Sequence, residues 1–510
     1  MKKINSYGDP EISEKQLQKA FVKPFKTIDK FYLYDVGTNR IFNVDEVLYT
    51  IIPSVGTVST AEIVSRFKER FGENAVKTAL DEIETAQKDG VFIHGYPSSI
   101  SLGLDRGALR EKMSHELGQM LLEISQDCNL NCHYCTFSGC YDGHRIHNPA
   151  LMSSATMKKA VDFLFSRSDS RHEVTCTLYG GEPLLNFTLI KELVTYCGSL
   201  FKERSCRFSM TTNGTLMTEE RAQFFCKHGF EVTVSLDGPS QVHDAHRVDR
   251  KGEGSYRKAI RGLKFLVDAY KDKPGSRLAI NMVITPPHTL AEINRLWEME
   301  PWLPPDSVVM ASYVDAQGTT FTQDHPVLEV QRVSARRINT IFARDFFLES
   351  ILKNNPKQPL GQALYEKSLA KIKKRPVFSA PAETCHLNGC CLPGVRKVFV
   401  DPDGQLKICE RVHQTPYIGN INDGYDFPVV LNLIESYEKG CREKCLSCWA
   451  VRFCGLCFAH AFKTGQYNDE SKETHCESER DSIEANLELF YYLLEKDPQC
   501  LNFLEDYTFE

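Results

Sequence analysis

A short loop that carries three cysteines is the part of this 510-residue sequence best suited to chemistry. Cys128, Cys132 and Cys135 have the spacing C-x3-C-x2-C and follow an apolar run that predicts a strand. Three thiolates on one loop can hold three irons of a four-iron cluster and leave the fourth iron open to a small molecule. Taken alone, the triplet leaves a zinc knuckle or three buried thiols as the less favoured alternative.

A second group of cysteines lies between Cys385 and Cys476. The chain has 19 cysteines but no secretory segment at its N-terminus, so disulfides are a poor explanation for them in the reducing cytosol. Metal or cluster ligation explains the grouping, and a zinc ribbon remains an alternative. Five further cysteines lie singly in the sequence and are expected to pack as small apolar residues: Cys176, Cys197, Cys206, Cys226 and Cys500.

Composition and charge narrow the function classes. A formal net charge of −6 and a charged fraction of 25% are typical of a soluble protein and give no basic field for nucleic acid. No stretch reaches the roughly 18 apolar residues of a membrane span. We therefore expect a cytoplasmic protein with neither nucleic acid nor membrane as a partner.

The elements that position the cysteine loop follow a repeating pattern. From Leu121 to Ile284, apolar runs alternate with helical patterns. Such alternation predicts a parallel sheet with crossover helices, and chemistry at the carboxyl ends of its strands. The predicted strands after the first are 174–179, 208–211, 232–236 and 277–284.

Polar motifs stand where these strands end. They are Gly180-Gly181-Glu182-Pro183, Thr211-Thr212-Asn213-Gly214 and Ser235-Leu236-Asp237-Gly238-Pro239. Glycines let the backbone approach a ligand closely, and hydroxyl, amide and carboxylate groups suit a ribose and an amino acid zwitterion. Downstream, Arg247 in His243-Asp244-x-x-Arg247 is placed to clamp a carboxylate, or to form a surface ion pair with Asp244 or Asp249.

These motifs together resemble the radical S-adenosylmethionine (SAM) superfamily, in which an aromatic residue, here Tyr134, precedes the third cysteine. The resemblance implies an α/β fold with a partial (β/α)6 TIM-type barrel over residues 119–320. It also implies a 4Fe-4S cluster on Cys128, Cys132 and Cys135, and reductive cleavage of SAM to methionine and a 5′-deoxyadenosyl radical. The implied cofactor contacts are Tyr134, Gly180, Gly181, Glu182, Thr211, Asn213, Ser235, Asp237 and Arg247.

Residues 383–480 resemble the SPASM domain, a cysteine-rich module that holds two auxiliary 4Fe-4S clusters. The family pattern implies Cys385, Cys391, Cys409 and Cys457 for one cluster, and Cys445, Cys448, Cys454 and Cys476 for the other. Two residues rather than three separate Cys454 from Cys457, and either Cys390 or Cys391 can serve the first cluster. Glu410 stands where sulfatase-maturing relatives carry an aspartate, and we expect it to accept a proton.

The pattern of residues 26–97 predicts a winged-helix-like module, with a hairpin at 31–44, two helices and a strand at 90–93. It resembles the peptide recognition element of enzymes that modify ribosomal peptides, in which a leader peptide adds a strand to the small sheet. A DNA-binding winged helix or a structural cap are the alternatives. The remaining predicted segments are a linker at 98–118, a mainly helical connector at 321–382 and a C-terminal helix at 481–510.

The resulting functional prediction is a radical SAM maturase of a ribosomally synthesised precursor peptide, forming thioether crosslinks from a cysteine sulfur to carbon. Carbon–carbon crosslinking, or maturation of a folded enzyme such as a sulfatase or dehydrogenase, are alternatives, and a zinc-stabilised regulatory protein is the non-enzymatic one. The expected partners are the precursor peptide, with its leader on residues 26–97, and an electron donor such as flavodoxin or ferredoxin. The sequence does not select the attacked carbon, the precursor or the oligomeric state.

Overall fold

A parallel sheet that continues into the cysteine-rich segment organises the molecule. The computed structural model of the chain describes residues 17–508 with internal gaps. The positions left out within this range are 104, 170–172, 273–277, 305–306, 316–318, 322–344, 346–347, 349–358 and 387–388.

An N-terminal module has three antiparallel strands followed by three helices. The strands are β1 (Val22–Lys26), β2 (Phe31–Asp35) and β3 (Arg40–Val44), and the helices are α1 (Glu46–Ile51), α2 (Thr60–Phe71) and α3 (Glu73–Lys88). The module has its own apolar core, which includes Leu33, Ile63 and Ile83. The sheet order is β1-β2-β3, so among the described strands β3 pairs only with β2.

The predicted hairpin and the two longer helices are present, but the predicted strand 90–93 is wrong. After α3 the chain turns, and Phe92 adopts a positive φ of 60° that a strand does not allow. Its N–H donates to Asp35 Oδ1 at 3.0 Å, while its side chain packs into the core of the module. The segment therefore closes the module as a buried turn.

The predicted linker 98–118 also differs from the structure, because it contains β4 (Ser99–Ser101) and α4 (Arg106–His115). Asp105 caps α4 by accepting from the N–H of Ala108 at 2.8 Å, and Leu109 and Met113 bury one face of the helix. β4 pairs in parallel with β11 (Thr384–His386), which ties this segment to the cysteine-rich region.

Six parallel strands follow in spatial order and form the barrel-type sheet. They are β5 (Gln119–Ser125), β6 (Glu173–Gly180), β7 (Ser205–Thr212), β8 (Glu231–Ser235), β9 (Leu278–Ile284) and β10 (Val308–Tyr313). The helices between them are α5 (Ser154–Ser166), α6 (Phe187–Leu200), α7 (Glu219–Lys227), α8 (Ser240–His243), α9 (Tyr256–Tyr270), α10 (Leu290–Asn294) and α11 (Leu296–Met299). The alternation predicted from sequence is confirmed.

The cysteine-rich segment extends the same sheet. β12 (Lys397–Val400) pairs in parallel with β5, and β13 (Gln405–Lys407), β14 (Gly419–Asn420) and β15 (Gly424–Tyr425) follow antiparallel to one another. Among the residues that the structure describes, the result is one ten-stranded sheet. A two-stranded ribbon, β16 (Phe462–Lys463) and β17 (Gln466–Tyr467), lies further along the chain.

Three long helices complete the described structure. They are α12 (Pro359–Lys373), α13 (Phe427–Cys445) and α14 (Asp469–Lys496). Most of the predicted connector 321–382 lies outside the described residues, and α12 is its main described part. The predicted boundary at 480 divides α14, so the C-terminal helix begins earlier and carries Cys476. Within the described ranges, none of the helices combines the length and apolar character needed to cross a bilayer.

Candidate active site

The loop with Cys128, Cys132 and Cys135 leaves the carboxyl end of β5 and rests on the glycines that end β6. The N–H of Gly181 donates to Ser125 O at 2.7 Å, and the N–H of Glu182 donates to Asp127 O at 2.8 Å. A Cβ atom on Gly180 would lie 2.1 Å from Ser125 O, and one on Gly181 would lie 2.0 Å from Asp127 O. Only glycine allows this approach, so the two motifs form one backbone cradle.

The segment after α8 holds the other side of the cysteine loop. The N–H of Asn131 donates to Val248 O at 2.7 Å, and the N–H of His133 donates to His246 O at 3.0 Å. Arg250 forms an ion pair with Asp127 and donates from Nη2 to the carbonyl oxygen of Cys128 at 2.8 Å. Sequence reasoning missed Arg250, since an arginine in a charged turn carries no distinct signal.

A buried ion pair links three of the predicted cofactor residues. Arg247 Nε donates to Asp237 Oδ2 at 2.9 Å, the Tyr134 hydroxyl donates to the same oxygen, and the Val283 N–H donates to Oδ1 at 3.0 Å. Burial alone would lower the pKa of Arg247, but Asp237 and Tyr134 more than offset this and raise it. Arg247 therefore pairs with neither Asp244 nor Asp249, the two partners that the sequence suggested.

The Arg247 charge also acts on the cysteine loop. Burial raises the pKa of the Cys132 thiol to about 12, and Arg247 is the nearby group that opposes this effect most strongly. Burial likewise raises the pKa of Cys128. A cation on this side of the loop favours thiolates over thiols, which is the form that iron binds.

Glu182 is completely buried at the end of β6. Its Oε1 accepts from the Thr212 hydroxyl at 2.7 Å and from the Leu184 N–H at 3.0 Å, while Oε2 accepts from the Asn213 N–H at 2.8 Å. Burial raises the pKa of Glu182, and these donors oppose the shift. In this structure the carboxylate braces the end of β6 against the end of β7, so its contact with a SAM amine remains a prediction.

The remaining predicted contacts lie at the ends of β7 and β8. Asn213 Nδ2 donates to Asn129 Oδ1 at 3.0 Å, which ties the end of β7 to the cysteine loop. Thr212 supplies the hydroxyl that Glu182 accepts, and the contact predicted between Thr211 and the cofactor stays a prediction. Ser235 is buried at the end of β8, beside Asp237 in sequence, as expected for a group at the ligand end of the sheet.

The distances between the sulfur atoms of Cys128, Cys132 and Cys135 distinguish a site for one metal ion from a site for a cluster. Within the described part of the chain, the only three ligand atoms that all lie within 4.8 Å of one another belong to Cys176, Cys197 and Cys206. Cys128, Cys132 and Cys135 are therefore spaced more widely than a single zinc ion requires. Ligands that bind separate irons need such wider spacing, so the loop fits a 4Fe-4S cluster.

The cysteines assigned to the first auxiliary cluster are only partly brought together. Cys457 interacts electrostatically with Cys391, Cys409 and Cys390, so these four thiols share one region. Cys385 lies on β11 with its Sγ 3.8 Å from Val451 O, and its electrostatic neighbours are Arg452 and Cys445. The structure thus keeps both Cys390 and Cys391 beside Cys457, and it places Cys385 toward the second group.

The second auxiliary group surrounds a buried lysine. Cys445 interacts electrostatically with Cys454 and Cys476, and Cys476 also with Cys448. Lys472 is only 5% exposed, and its Nζ lies 2.9 Å from Cys445 Sγ and 3.0 Å from Cys441 Sγ. The Lys472 ammonium therefore donates to sulfur atoms. A buried ammonium needs an anionic partner, and a thiolate or a cluster sulfur provides one. This donor set fits an iron–sulfur cluster.

A large cavity, about 2170 Å³ in volume, connects the SAM end of the barrel with the first auxiliary group. Its lining includes Tyr134, Tyr179, Cys391, Cys409, Glu410 and Cys457. Glu410 forms an ion pair with Lys397 at 2.8 Å, and both side chains are mostly buried. Tyr179, at the end of β6, interacts electrostatically with both Glu410 and Cys135. The cavity therefore places Glu410 and the cluster cysteines around one space.

Comparison with known proteins identifies the central domain. Residues 122–299 match the family model described as the Radical SAM superfamily. The chain is 31% identical over 147 residues to an uncharacterized protein of Methanocaldococcus jannaschii, covering 29% of this chain and 48% of that protein. It is 29% identical over 153 residues to a cysteine-type anaerobic sulfatase-maturating enzyme of Clostridium novyi, covering 29% and 40%. The chain thus spans less than half the length of these curated relatives.

A solved structure gives the fold. Native anSMEcpe with bound AdoMet superimposes on this chain with a TM-score of 0.54 at 18% identity, covering 77% of this chain and 100% of that chain. The same protein has also been solved with AdoMet and the Cp18Cys peptide, with a TM-score of 0.53 at 18% identity over 76% and 99% of the two chains. The fold is therefore the α/β radical SAM fold with a mostly parallel sheet.

Proposed function

We propose that this chain, whose residues 122–299 form a radical SAM domain, cleaves SAM reductively and uses the resulting radical to modify a peptide. The observation that carries the proposal is the cysteine loop, clamped between the Gly180-Gly181 cradle and the Val248–Arg250 segment beside a large cavity. A 4Fe-4S cluster on this loop would supply the electron that converts SAM to methionine and a 5′-deoxyadenosyl radical.

The protein's own residues prepare this reaction in three ways. The two glycines remove side-chain volume where the backbone must meet the cofactor. Asp237 holds Arg247 beside Cys132, so the guanidinium charge stabilises the thiolate form of the cysteine loop. The Arg247 N–H groups that do not contact Asp237 would bind the SAM carboxylate. Glu182, Thr212 and Asn213 join the ends of β6 and β7, which keeps the ligand surface rigid.

The cavity has room for a substrate beside SAM and a cluster. Its volume of about 2170 Å³ exceeds the roughly 300–1,000 Å³ of a single small-molecule pocket, and the space not filled by those groups can take a peptide side chain. In the proposal, a peptide side chain lies between the SAM end and Cys391, Cys409 and Cys457. These cysteines would hold one auxiliary cluster of the SPASM-like segment, and Cys445, Cys448, Cys454 and Cys476 the other. Bound there, the two clusters would supply an acceptor for the electron left after crosslinking. Glu410 accepts the accompanying proton, and Lys397 keeps its carboxylate in place. Thioether formation remains the product we favour.

The N-terminal module is proposed to hold the leader of the precursor. β3 has an edge that no described strand covers, and a peptide can extend the sheet there by main-chain hydrogen bonds. The module is fixed to the catalytic body, because Arg452 donates to Val36 O at 2.6 Å and Asn39 donates to Pro376 O at 2.7 Å. A bound leader would therefore keep the core peptide near the cavity.

Maturation of a folded protein is the second candidate. Its support is the sequence similarity to a cysteine-type anaerobic sulfatase-maturating enzyme and the fold shared with anSMEcpe. In this case the β3 edge would have no role in turnover. The two candidates therefore differ in whether a leader is needed.

Reconstitution under anaerobic conditions tests the radical site. We expect the parent protein with dithionite and SAM to form 5′-deoxyadenosine, and the Cys128→Ala, Cys132→Ala and Cys135→Ala variants to form none above background. Cys226→Ala is the matched control, since this cysteine lies on α7 away from the loop. Parent-level 5′-deoxyadenosine from the three loop variants would remove the proposed site.

Hydrogen exchange tests the leader proposal. A synthetic precursor should protect amides of β3 (40–44) from exchange, whereas the same peptide without its leader should not. Turnover followed by mass spectrometry should show loss of two hydrogens per crosslink from the full precursor. Equal turnover of a leaderless peptide and a sulfatase-derived peptide, with no protection at β3, would favour the second candidate.

A further inference from the structure

Three cysteines that lie far apart in the sequence meet behind the barrel sheet. They are Cys176 in the middle of β6, Cys197 on α6 and Cys206 near the start of β7. Their Sγ atoms all lie within 4.8 Å of one another, and those of Cys176 and Cys206 are 3.7 Å apart. None of the three lines the cavity, so the group is separate from the candidate active site.

The spacing fits one metal ion. Zinc–sulfur bonds of about 2.3 Å in tetrahedral geometry place neighbouring sulfurs about 3.8 Å apart. The observed 3.7 Å separation agrees with this value, whereas a four-iron cluster needs ligands on separate irons. Rigid elements hold all three positions, because Val174 pairs with Cys206 in the β6–β7 ladder and α6 packs on the same sheet.

We propose that Cys176, Cys197 and Cys206 form a zinc site of three thiolates and one open position. Cys176 and Cys197 are 0% and 1% exposed, while Cys206 is half-buried, so water can fill the open position on the side of Cys206. Zinc matches soft sulfur donors, and its double charge offsets two of the three thiolate charges. Binding converts three thiols to thiolates and releases three protons to solvent, with no change of oxidation state.

The site would brace the part of the chain that carries the SAM cradle. Gly180, Gly181 and Glu182 lie in the segment between Cys176 and Cys197. An ion bound to both cysteines fixes the two ends of this segment to β7 through Cys206. The site therefore stabilises the position of the cradle without touching the cofactor.

Metal analysis of the reconstituted holoprotein provides the test. The protein is dialysed anaerobically with zinc chloride, freed of unbound metal, and measured for zinc and iron by inductively coupled plasma mass spectrometry. We expect about one zinc per chain, and less than about one tenth of that in Cys197→Val and Cys206→Ala, with iron unchanged. Cys226→Ala is the control and should bind as much zinc as the parent, because this thiol lies outside the three-cysteine group and donates to Ala269 O at 3.0 Å.

Two measurements on the unaltered protein guard against variants that do not fold. Zinc should protect Cys206 from iodoacetamide, chelation should restore labelling, and the zinc X-ray absorption fine structure should contain three sulfur neighbours. Absence of bound zinc, zinc retained by both variants, or a shell dominated by nitrogen and oxygen would overturn the proposal. In those cases the three cysteines pack as neutral thiols, and SAM cleavage is unaffected.

Discussion

Replacing Asp237 by asparagine should destabilise the radical SAM domain strongly. The Asp237 carboxylate is almost fully buried and accepts from Arg247, Tyr134 and Val283. Asparagine keeps the shape but removes the charge, and it leaves the buried Arg247 guanidinium without an anion. Removing one partner of such a pair costs about 3–5 kcal/mol. For a domain of this size, each kcal/mol lowers Tm by about 2–4 °C, so a fall of about 10 °C is expected.

Urea unfolding of the metal-free protein, followed by circular dichroism, measures this cost. The double variant Asp237→Asn, Arg247→Leu should recover most of the loss, because it no longer buries an unpaired charge. The control pair is Glu62 and Arg66 on α2, which lie 3.2 Å apart with both side chains about half exposed. Glu62→Gln should cost less than about 0.5 kcal/mol. A loss below about 1 kcal/mol for Asp237→Asn, or no recovery in the double variant, would refute the reasoning.

Three further predictions concern single residues. Gly181→Ala should lose the iron bound to the cysteine loop and reduce SAM cleavage more than tenfold, because the new Cβ would overlap Asp127 O. Gly198→Ala is the control, since a Cβ there meets no atom within 4 Å. It should match the parent in iron analysis and in turnover. Burial lowers the pKa of His243 to about 3, whereas the unfolded chain keeps the ordinary value of about 6.5. Below about pH 6.5 the unfolded state therefore binds a proton that the folded state does not. The free energy of unfolding then falls by up to about 1.4 kcal/mol per pH unit until the pH nears about 3. The free energy of unfolding in urea should stay nearly level from about pH 7.5 to 6.5 and fall below that, and His243→Gln should reduce the slope between about pH 5.5 and 4.5 by about 1.4 kcal/mol per pH unit. Part of the slope should remain, because burial lowers the pKa of His413 in the same way. Equal slopes in the parent and the variant would contradict the assignment. Lys472→Met should lower the midpoint potential of the proposed second auxiliary cluster by about 100 mV in redox titrations followed by electron paramagnetic resonance. The reason is that a charge about 6 Å away at an effective dielectric of 20 is worth about 2–3 kcal/mol. Lys472→Arg keeps the charge and should leave the potential within about 30 mV.

Local sequence patterns were sufficient for the barrel. The strands of the sheet are apolar runs separated by amphipathic helices, and that alternation predicts parallel pairing, which is confirmed. Ligand binding at the carboxyl ends of the strands stays a prediction. The glycine pair at 180–181 was recognisable because close backbone contact tolerates no other residue. The hydrogen bond between Glu182 and Thr212 was not predictable locally, because the two residues belong to different strands.

Contacts between distant segments were not predictable from local patterns. Arg247 was expected to clamp the SAM carboxylate or, as the alternative, to pair with Asp244 or Asp249. Its partner in the structure is Asp237, just beyond the end of β8, and the contact with SAM stays a prediction. Cys176, Cys197 and Cys206 each look like isolated apolar residues, and only the packing of α6 on the β6–β7 pair brings them together. The strand predicted at 90–93 failed for the opposite reason, because an apolar run of four residues also suits a buried turn.

The pairing of β5 with β12 affects how the chain is made. β5 leaves the ribosome early, but its outer neighbour β12 is translated only after most of the chain has emerged. Until then, β5 presents an unpaired apolar edge, which invites aggregation during synthesis. The sheet that carries the loop after β5 is incomplete on one side during this period, so assembly of iron and sulfide on nascent chains should be inefficient. Delivery of the inorganic cofactor is therefore best timed after release, when both halves of the sheet have joined.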